Sequence, residues 1–548
     1  MAMQAVFRGK PAAMILLWAL TAAAATGADS APAGSQPAAT QPAGESAGAT
    51  AACAQAAAGD LEKASVTTHE VRIGDRSVRY RATAAAMPMK DESDKLKATV
   101  FFVAYEAFRP GSTAEGDADL LAAEPEARPI TFVFNGGPGA AAVWLHLGTA
   151  GPRRVDFPED GTAPPPPYRL VDNAWSWLDV TDLVFIDPVG TGFSRPAEGQ
   201  DRQEFYGVRE DIRWVAEFIR LYLTRYRRWA SPAFLAGESY GTTRAAGLSE
   251  HLLDRHGIAL CGIVFVSTVL DFQTLSPQNA NDLPYPLFLP TYTATAWYHR
   301  RLDAELQADF DRTLREVQQW ATGDYVAALA AGNALQGEPR RQVLQRLARY
   351  TGLPEEFIER ASLRVTPAAF QKHLLADKGL LVGRFDSRIT GHDPSPLSNR
   401  PAFDPSLPQY LAAYSACFND YARRQLKYES LLPYEVLSDK VRPWNFGEDG
   451  MGYLSVVDEL RSAMVKNPHL RLLFASGYFD LATPYWGTQY TIDHLDLPPE
   501  LTAHIRHERY PAGHMMYHER GSLRKLKADV ADFIRQAVAG RRPTADGK

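Results

Sequence analysis

A serine stands at the centre of the segment GESYG, which occupies positions 237–241. An apolar run at 233–236 precedes it and a helix-spaced run follows it, which is the strand–turn–helix setting of a nucleophile elbow. The flanking glycines leave room for the sharp turn that lifts the Ser239 hydroxyl above the carboxyl edge of a sheet. The next backbone amide, that of Tyr240, would then face the oxygen that becomes negative in acyl transfer. A simple turn between a strand and a helix is the alternative interpretation.

Two later residues could complete an acyl-transfer site. Asp480 follows an apolar run at 470–475, and His514 follows a partly alternating run at 504–510, so both lie just past predicted strands. The chain order serine, acid, histidine is one that serine hydrolases with a nucleophile elbow use. We therefore expect Ser239 to be the nucleophile, Asp480 the acid and His514 the base. Asp480 could instead cap the helix predicted at 485–490.

A glycine-rich loop, NGGPG at positions 135–139, follows the apolar run at 131–134. Acyl transfer needs a second backbone donor opposite the elbow amide, and a Gly-Gly turn approaches a substrate with no Cβ in the way. The loop lacks the GxGxxG pattern and a following Lys-Ser or Lys-Thr pair, so phosphate binding is not favoured. We therefore predict part of an oxyanion hole here, with a strand-ending turn as the alternative.

The spacing of the other histidines does not indicate a metal site. His514 and His518 are four residues apart but lie in a predicted loop. His504 and His507 lie in a predicted strand, where an odd spacing puts their rings on opposite faces. Since no aspartate or cysteine cluster completes a coordination shell, we expect neither a metal nor a cofactor.

The elements that must position these residues alternate between strands and helices. Helical spacing is seen at 205–229 and again at 523–537. This order predicts a doubly wound, mostly parallel α/β sheet. Between 274 and 452 the pattern changes to Pro-rich turns and helical segments, which predicts a mainly helical cap inserted into the sheet domain. The predicted strands, each bounded by Gly, Pro, Asn or Asp, are 131–134, 183–186, 233–236, 263–266 and 470–475.

Composition excludes several classes of protein. The chain has 548 residues, 45% of them hydrophobic, which is enough for a sizeable core. A net charge of −6 without a basic stripe makes nucleic acid an unfavoured partner. The three cysteines, Cys53, Cys261 and Cys417, allow at most one intramolecular bridge, so stability must come from packing unless Cys261 and Cys417 pair. The oligomeric state is left open.

The N-terminus has the layout of a secretory signal. Arg8 and Lys10 precede an apolar stretch at 12–25, and small residues follow it. We predict a signal peptide at 1–28, with an uncleaved anchor or a buried helix as the alternatives, and hence an exported protein, periplasmic or secreted, without a stable membrane span after cleavage. Residues 29–64 contain few large apolar side chains and are predicted to be a disordered tether. The hydrolase domain would then comprise 65–273 and 453–548.

Taken in order, these motifs resemble those of the serine carboxypeptidases. The segments that carry the resemblance are NAWSW at 173–177 and four motifs: NGGPG at 135–139, DPVGTGFS at 187–194, GESY at 237–240, and Asp480 with GHM at 513–515. The resemblance covers about residues 66–538 apart from the cap. It implies an α/β-hydrolase fold, the Ser239, Asp480 and His514 triad, and an oxyanion hole formed by the amides of Gly137 and Tyr240.

The family resemblance also implies how a substrate is held. Asn135 and Glu238 would bind the free C-terminal carboxylate of a peptide, and one of the two carboxyl groups that meet must then carry a proton. The chain departs from the family where Thr149 stands in the place of a further glutamate. We hypothesise that Arg153, Arg154 or Arg244 supplies positive charge there, and the alternative is that all three are surface arginines.

Three functions are compatible with these residues. The first is a serine carboxypeptidase whose partner is a peptide with a free C-terminus. The second is an esterase or acyltransferase on the same scaffold, because function depends on the site and the cap rather than on the fold. The third, an inactive secreted binding protein, is disfavoured by the complete set of serine, aspartate and histidine.

Overall fold

A large mixed sheet organises the protein. The structure is a computed structural model, and it describes residues 64–111, 128–447 and 452–539. The predicted signal peptide, Cys53 and all but the last residue of the predicted tether lie outside the described residues. The strands, numbered along the chain, are β1 (Ser65–Ile73), β2 (Arg76–Lys90), β3 (Leu96–Ala107), β4 (Ile130–Phe134), β5 (Arg153–Val155), β6 (Leu170–Asp172), β7 (Asp182–Ile186), β8 (Arg195–Pro196), β9 (Ala233–Glu238), β10 (Gly262–Val266), β11 (Leu380–Val382), β12 (Thr390–His392), β13 (Arg471–Gly477) and β14 (Ile505–Tyr510).

The sheet order shows the crossovers of a doubly wound fold. It runs β1-β2-β3-β7-β4-β9-β10-β13-β14, and β8 pairs with β3. The pairs from β7 through β14 are parallel, whereas β1, β2 and β3 are joined antiparallel to one another and to β7. The predicted α/β-hydrolase fold is confirmed, since the five predicted parallel strands and the strand predicted at 504–510 are all present within two residues of their expected ends. The carboxyl ends of β4, β9, β13 and β14 therefore meet at one edge.

Helices cover both faces of the sheet. The α-helices are α1 (Val143–Leu145), α2 (Val208–Arg225), α3 (Tyr240–His256), α4 (Pro284–Tyr298), α5 (Ala304–Gln307), α6 (Phe310–Trp320), α7 (Val326–Ala331), α8 (Gly337–Thr351), α9 (Glu355–Arg360), α10 (Pro367–His373), α11 (Pro408–Arg424), α12 (Val457–Lys466), α13 (Tyr485–Asp493), α14 (Pro499–Thr502) and α15 (Arg520–Ala539). Two π-helical turns are His146–Ala150 and Ala321–Tyr325. The 3₁₀ turns are Trp177–Asp179, Arg202–Glu204, Phe272–Thr274, Gly332–Ala334, Ala376–Lys378, Asp439–Val441 and Met516–His518.

Strand β9 shows how the sheet separates two cores. Its successive residues point to opposite faces, so Phe234 and Ala236 join one buried cluster while Ala233 and Leu235 join the other. Helices α11 and α15 pack in the first cluster and α2, α3 and α12 in the second. Because both faces are covered, β9 is buried along its whole length.

The chain between β10 and β13, residues 267–470, is called the inserted segment below. It is mainly helical, and α4 and the elements up to β11 form a third buried cluster of their own. It also contains a feature that the sequence did not reveal: β11 and β12 form a short antiparallel hairpin. Helix α11, which follows β12, packs against the sheet rather than with the third cluster.

The described cysteines do not crosslink the inserted segment to the sheet. Cys261 and Cys417 are both buried and are not joined to each other by a disulfide. Packing therefore holds the two parts together in the described part of the chain. Among the helices within residues 64–111, 128–447 and 452–539, none combines the length and the apolar character that crossing a membrane requires.

Candidate active site

Ser239 occupies a sharp turn between β9 and α3. Its backbone has φ 59° and ψ −129°, a conformation that non-glycine residues rarely adopt. The turn is held because the Ser239 amide donates to the carbonyl of Val266 on the neighbouring strand at 3.0 Å, and the Thr242 amide donates to the Ser239 carbonyl at 2.8 Å. The Ser239 hydroxyl does not cap α3, and the residue is only half-buried. This is the geometry of a nucleophile elbow.

Glycines let the loop after β4 press against this elbow. A methyl group at Gly136 would lie 2.4 Å from the backbone nitrogens of Tyr240 and Gly241, and one at Gly237 would lie 2.2 Å from the Gly241 carbonyl oxygen. Gly137 has φ 98°, so it adopts a conformation that favours glycine, and it is exposed. The structure thus brings both predicted oxyanion-hole segments, at Gly137 and at Tyr240, to the same edge of the sheet.

Asp480 and His514 meet in a buried hydrogen bond. The His514 Nδ1 and Asp480 Oδ2 atoms are 2.7 Å apart, and both side chains are at most 2% exposed. The other carboxylate oxygen, Oδ1, accepts the amides of Ala482 at 2.7 Å and Thr483 at 3.0 Å. The alternative role of Asp480 as a helix cap is therefore not realised, because α13 begins at Tyr485, after Pro484.

Thr483 is a further part of this arrangement that no motif indicated. Its hydroxyl donates to Asp480 Oδ2 at 2.7 Å and lies 3.3 Å from His514 Nδ1. The carboxylate of Asp480 thus accepts a bond at each oxygen from its own loop and can still hold an N–H at Nδ1 of His514. That tautomer leaves Nε2 of the imidazole free to accept a proton.

Close glycine packing also joins the loops that carry Asp480 and His514. A methyl group at Gly477, at the end of β13, would lie 2.2 Å from the carbonyl oxygen of Gly513. One at Gly513 would lie 2.3 Å from the carbonyl oxygen of Phe385 in the inserted segment. The His514 carbonyl accepts the Ser267 hydroxyl at 2.6 Å. His514 is therefore held from both the sheet and the inserted segment.

Asn135 and Glu238 form a second buried pair beside the elbow. The Asn135 amide Nδ2 donates to Glu238 Oε1 at 3.0 Å, and the Tyr517 hydroxyl donates to Glu238 Oε2 at 2.7 Å. Burial raises the pKa of Glu238 to about 7, although a charged His514, the Tyr517 hydroxyl and the Asn135 amide all act to lower it. Glu238 is thus a carboxyl group that keeps its proton in mildly acidic solution, when it can donate a hydrogen bond.

The arginines considered for this region have partners elsewhere. Arg244 is 1% exposed and not a surface residue: it donates to Asp211 at 2.7 Å and to the Asn135 carbonyl at 2.5 Å. Arg153 pairs with Asp172. Arg154 lies 3.7 Å from an oxygen of Asp156. These contacts do not favour the hypothesis that one of the three supplies positive charge at this place. The buried Thr149 hydroxyl has no hydrogen-bond partner among the described residues.

Comparison with known proteins finds serine carboxypeptidases among the relatives of this chain. The family model of the serine carboxypeptidases, peptidase S10, matches residues 97–519. Carboxypeptidase Y homolog A of Paracoccidioides lutzii is 24% identical over 196 residues, which are 35% of this chain and 31% of that protein. Serine carboxypeptidase-like 16 of Arabidopsis thaliana is 27% identical over 160 residues, 27% of this chain and 35% of that protein. The matched parts thus span about a third of these relatives' own length.

Solved structures with a similar arrangement are distant. The peroxisomal α/β-hydrolase Lpx1 of Saccharomyces cerevisiae is 9% identical, covers 86% of this chain and 92% of its own, and has a TM-score of 0.34. A monoglyceride lipase variant of the same organism is 10% identical, covers 87% of this chain and 97% of its own, and has a TM-score of 0.33.

Proposed function

The chain belongs to the serine carboxypeptidase family, and on this premise we propose that it removes the C-terminal amino acid from peptides through an acyl-enzyme. Ser239 Oγ attacks the last peptide carbonyl while His514 Nε2 takes its proton. Asp480 holds the Nδ1–H of the imidazole and stabilises its positive charge. The amides of Gly137 and Tyr240 donate to the oxyanion.

The second half of the reaction uses the same groups in reverse. His514 returns its proton to the leaving amine, so the terminal amino acid departs and the acyl group remains on Ser239. A water molecule then gives its proton to His514 and attacks the ester carbonyl. Collapse of this second tetrahedral intermediate returns the proton to Ser239 Oγ and releases the shortened peptide.

The buried pair of Asn135 and Glu238 is the observation that favours a carboxypeptidase over an esterase. A free carboxylate at the substrate terminus needs a neutral donor beside Ser239, and the raised pKa of Glu238, about 7, supplies one at acidic pH. One N–H of the Asn135 amide donates to Glu238, and the other N–H can donate to the terminal carboxylate of the substrate. A simple ester has no group that requires this pair.

Matched substrates test the proposal directly. A blocked dipeptide with a free C-terminus and the same dipeptide as its C-terminal amide are offered to the wild type and to Ser239→Ala, and release of the last residue is followed. We expect the free acid to be cleaved faster than the amide and Ser239→Ala to be inactive. Turnover of simple esters alone would favour an esterase, and an unreactive Ser239 would favour a binding protein.

Export is part of the same proposal. The charged and apolar pattern of residues 1–28 supports a cleaved signal, with residues 29–64 as a tether between it and the hydrolase domain. Mass spectrometry of the mature N-terminus, from periplasm and from culture medium, tests this and distinguishes the two destinations.

A further inference from the structure

Arg384 lies in the loop that joins β11 to β12, at the point where the inserted segment reaches the candidate active site. The backbone amide of Leu481, the residue after Asp480, donates to the Arg384 carbonyl at 3.0 Å. The backbone amide of His514 donates to the Phe385 carbonyl at 2.5 Å. Arg384 is therefore fixed between the loop of the acid and the loop of the base.

The Arg384 side chain lies over the Phe385 ring, and that ring packs against the imidazole of His514. Its guanidinium carbon is 5.1 Å from the centre of the Phe385 ring, and that ring is 4.9 Å from the His514 imidazole, centre to centre. Removal from water lowers the pKa of Arg384, and the charges of Asp404 and Asp480 act in the opposite direction. The side chain is half-buried, so one part of it still faces solvent.

The Arg384 guanidinium makes no ion pair with a carboxylate of the described residues, although Asp404, which accepts the Arg384 backbone amide at 2.9 Å, acts on its charge. Within the described parts of the chain, none of its nitrogens makes a hydrogen bond or an ion pair, although it has five N–H groups to donate. Its neighbour in the same loop, Arg388, binds Asp386 through Nε at 2.9 Å and Nη2 at 2.6 Å. A partly desolvated guanidinium without such a partner is costly to hold, and a carboxylate that occupied it would offset that cost.

We propose that Arg384 binds a carboxylate of the substrate and thereby makes the inserted segment a determinant of specificity. This inference rests on the proposed carboxypeptidase function and deepens it. The carboxylate has two candidate sources: an acidic side chain next to the cleaved bond, or the free C-terminus, which Arg384 would then share with Asn135 and Glu238. Both present two oxygens in the geometry that a guanidinium accepts in bidentate form.

Binding to an inactive background separates this inference from catalysis. In Ser239→Ala protein, calorimetry measures the Kd of three pairs of blocked peptides: Glu or Gln as the last residue, Glu or Gln as the residue before it, and a neutral peptide as free acid or amide. The variants added are Arg384→Gln and Arg384→Lys. Arg315→Gln, on the exposed side of α6, is the matched control that also removes one charge from the inserted segment.

The expected result is a selective loss. In one pair, Arg384→Gln should weaken binding of the peptide that carries the carboxylate about tenfold or more, which is the effect of losing a charged hydrogen bond. Binding of the neutral peptide of that pair should be nearly unchanged. Arg384→Lys should retain part of the preference, and Arg315→Gln all of it. The pair that loses its preference identifies the source of the carboxylate.

Other outcomes overturn the inference. Equal weakening of the binding of all six peptides would mean that Arg384 acts only on the shape or the electrostatic field of the site. Unchanged binding in Arg384→Gln, or no binding to the Ser239→Ala protein, would mean that Arg384 does not bind substrate. Turnover by the wild type is followed separately. Peptide cleavage without dependence on Arg384 would overturn this inference alone, while Arg384-dependent binding without cleavage would overturn only the proposed function.

Discussion

Gly136 lies so close to Tyr240 that a methyl group on its α-carbon would come within 2.4 Å of the Tyr240 amide nitrogen. The amide of Tyr240 is a proposed donor to the oxyanion, and the loop after β4 packs directly against it. Neither segment can shift without moving the other, because the contact is between backbone atoms.

Gly136→Ala is therefore expected to lower kcat about 100-fold or more, the effect of losing one oxyanion donor. Gly323→Ala is the control, since a methyl group there would meet nothing within 4 Å. Peptide turnover is measured well below the melting temperature of each variant. Wild-type kcat in a folded Gly136→Ala protein would contradict the role of this loop.

Asp480→Asn tests the tautomer of the base. Two backbone amides hold Oδ1 of Asp480, so the asparagine oxygen should stay there and its NH2 group should face Nδ1 of His514. The imidazole would then carry its proton on Nε2, where it must instead accept one. We expect kcat to fall about 10³- to 10⁴-fold with an unchanged melting temperature. A smaller fall than that of Thr483→Val, which removes one hydroxyl bond to Asp480, would contradict the assignment.

Much of this site could be predicted because short, local sequence patterns indicate it. GESYG at 237–241 demands a tight turn by its own composition, and the loops that carry Asp480 and His514 begin where apolar strands end. The strands of the parallel sheet could be found for the same reason, since buried strands are continuous apolar runs bounded by turn residues.

Other parts depend on contacts between distant segments and left no local signal. Tyr517 reaches Glu238 across 279 residues of chain, and Arg384 reaches the acid and base loops through a hairpin of three-residue strands. The antiparallel strands β1 to β3 also escaped prediction. In β2, four of the eight apolar residues are alanines that lie within 82–86, and such a run of small residues has little periodicity.

The affinity for free C-termini should depend on pH through Glu238. Its pKa of about 7 means that the neutral, donating form is present below that pH and is lost as pH rises through it. The KM for a free-acid peptide should therefore increase above about pH 7, while the KM for the amide should not. Glu238→Gln should remove this increase in KM, called the KM limb below. An unchanged KM limb in that variant would mean that another group causes it.

Tyr517→Phe gives a sharper form of the same test. The Tyr517 hydroxyl donates to Glu238 at 2.7 Å and so favours the ionised carboxylate, which lowers the pKa of Glu238. Its removal should shift the KM limb to higher pH without abolishing it. Tyr285→Phe, in the third buried cluster, is a matched control that should leave the limb in place. A shift to lower pH in Tyr517→Phe would contradict the direction of this bond.

The buried pair of Arg244 and Asp211 should be essential for stability. Arg244→Met would leave Asp211 buried without its partner and the Asn135 carbonyl without its donor, which should cost about 3–5 kcal/mol of unfolding free energy. Arg244→Met with Asp211→Leu should recover most of that loss, because no charge is then left unpaired. Urea unfolding measures both, and equal losses in the single and double variants would show that shape rather than charge matters.

Asp187, in the DPVGTGFS motif, should make stability depend on pH. Burial raises the pKa of Asp187 to about 7, against the lowering effect of the Ala142 amide and the Tyr434 hydroxyl, and its Oδ2 has no hydrogen-bond partner among the described residues. Between about pH 4 and 7 the unfolded chain ionises this group while the folded protein keeps its proton, so the unfolding free energy contributed by Asp187 falls as pH rises.

Asp187→Asn removes that titration. Its amide oxygen can still accept from Ala142, and any fixed cost of the new NH2 group is the same at every pH. The unfolding free energy of the variant relative to the wild type should therefore increase from pH 4.5 to pH 8, by up to about 1.4 kcal/mol for each pH unit below the folded pKa. Urea unfolding at three pH values measures the trend. A difference that stays constant with pH would mean that Asp187 is ionised in the folded protein throughout this range.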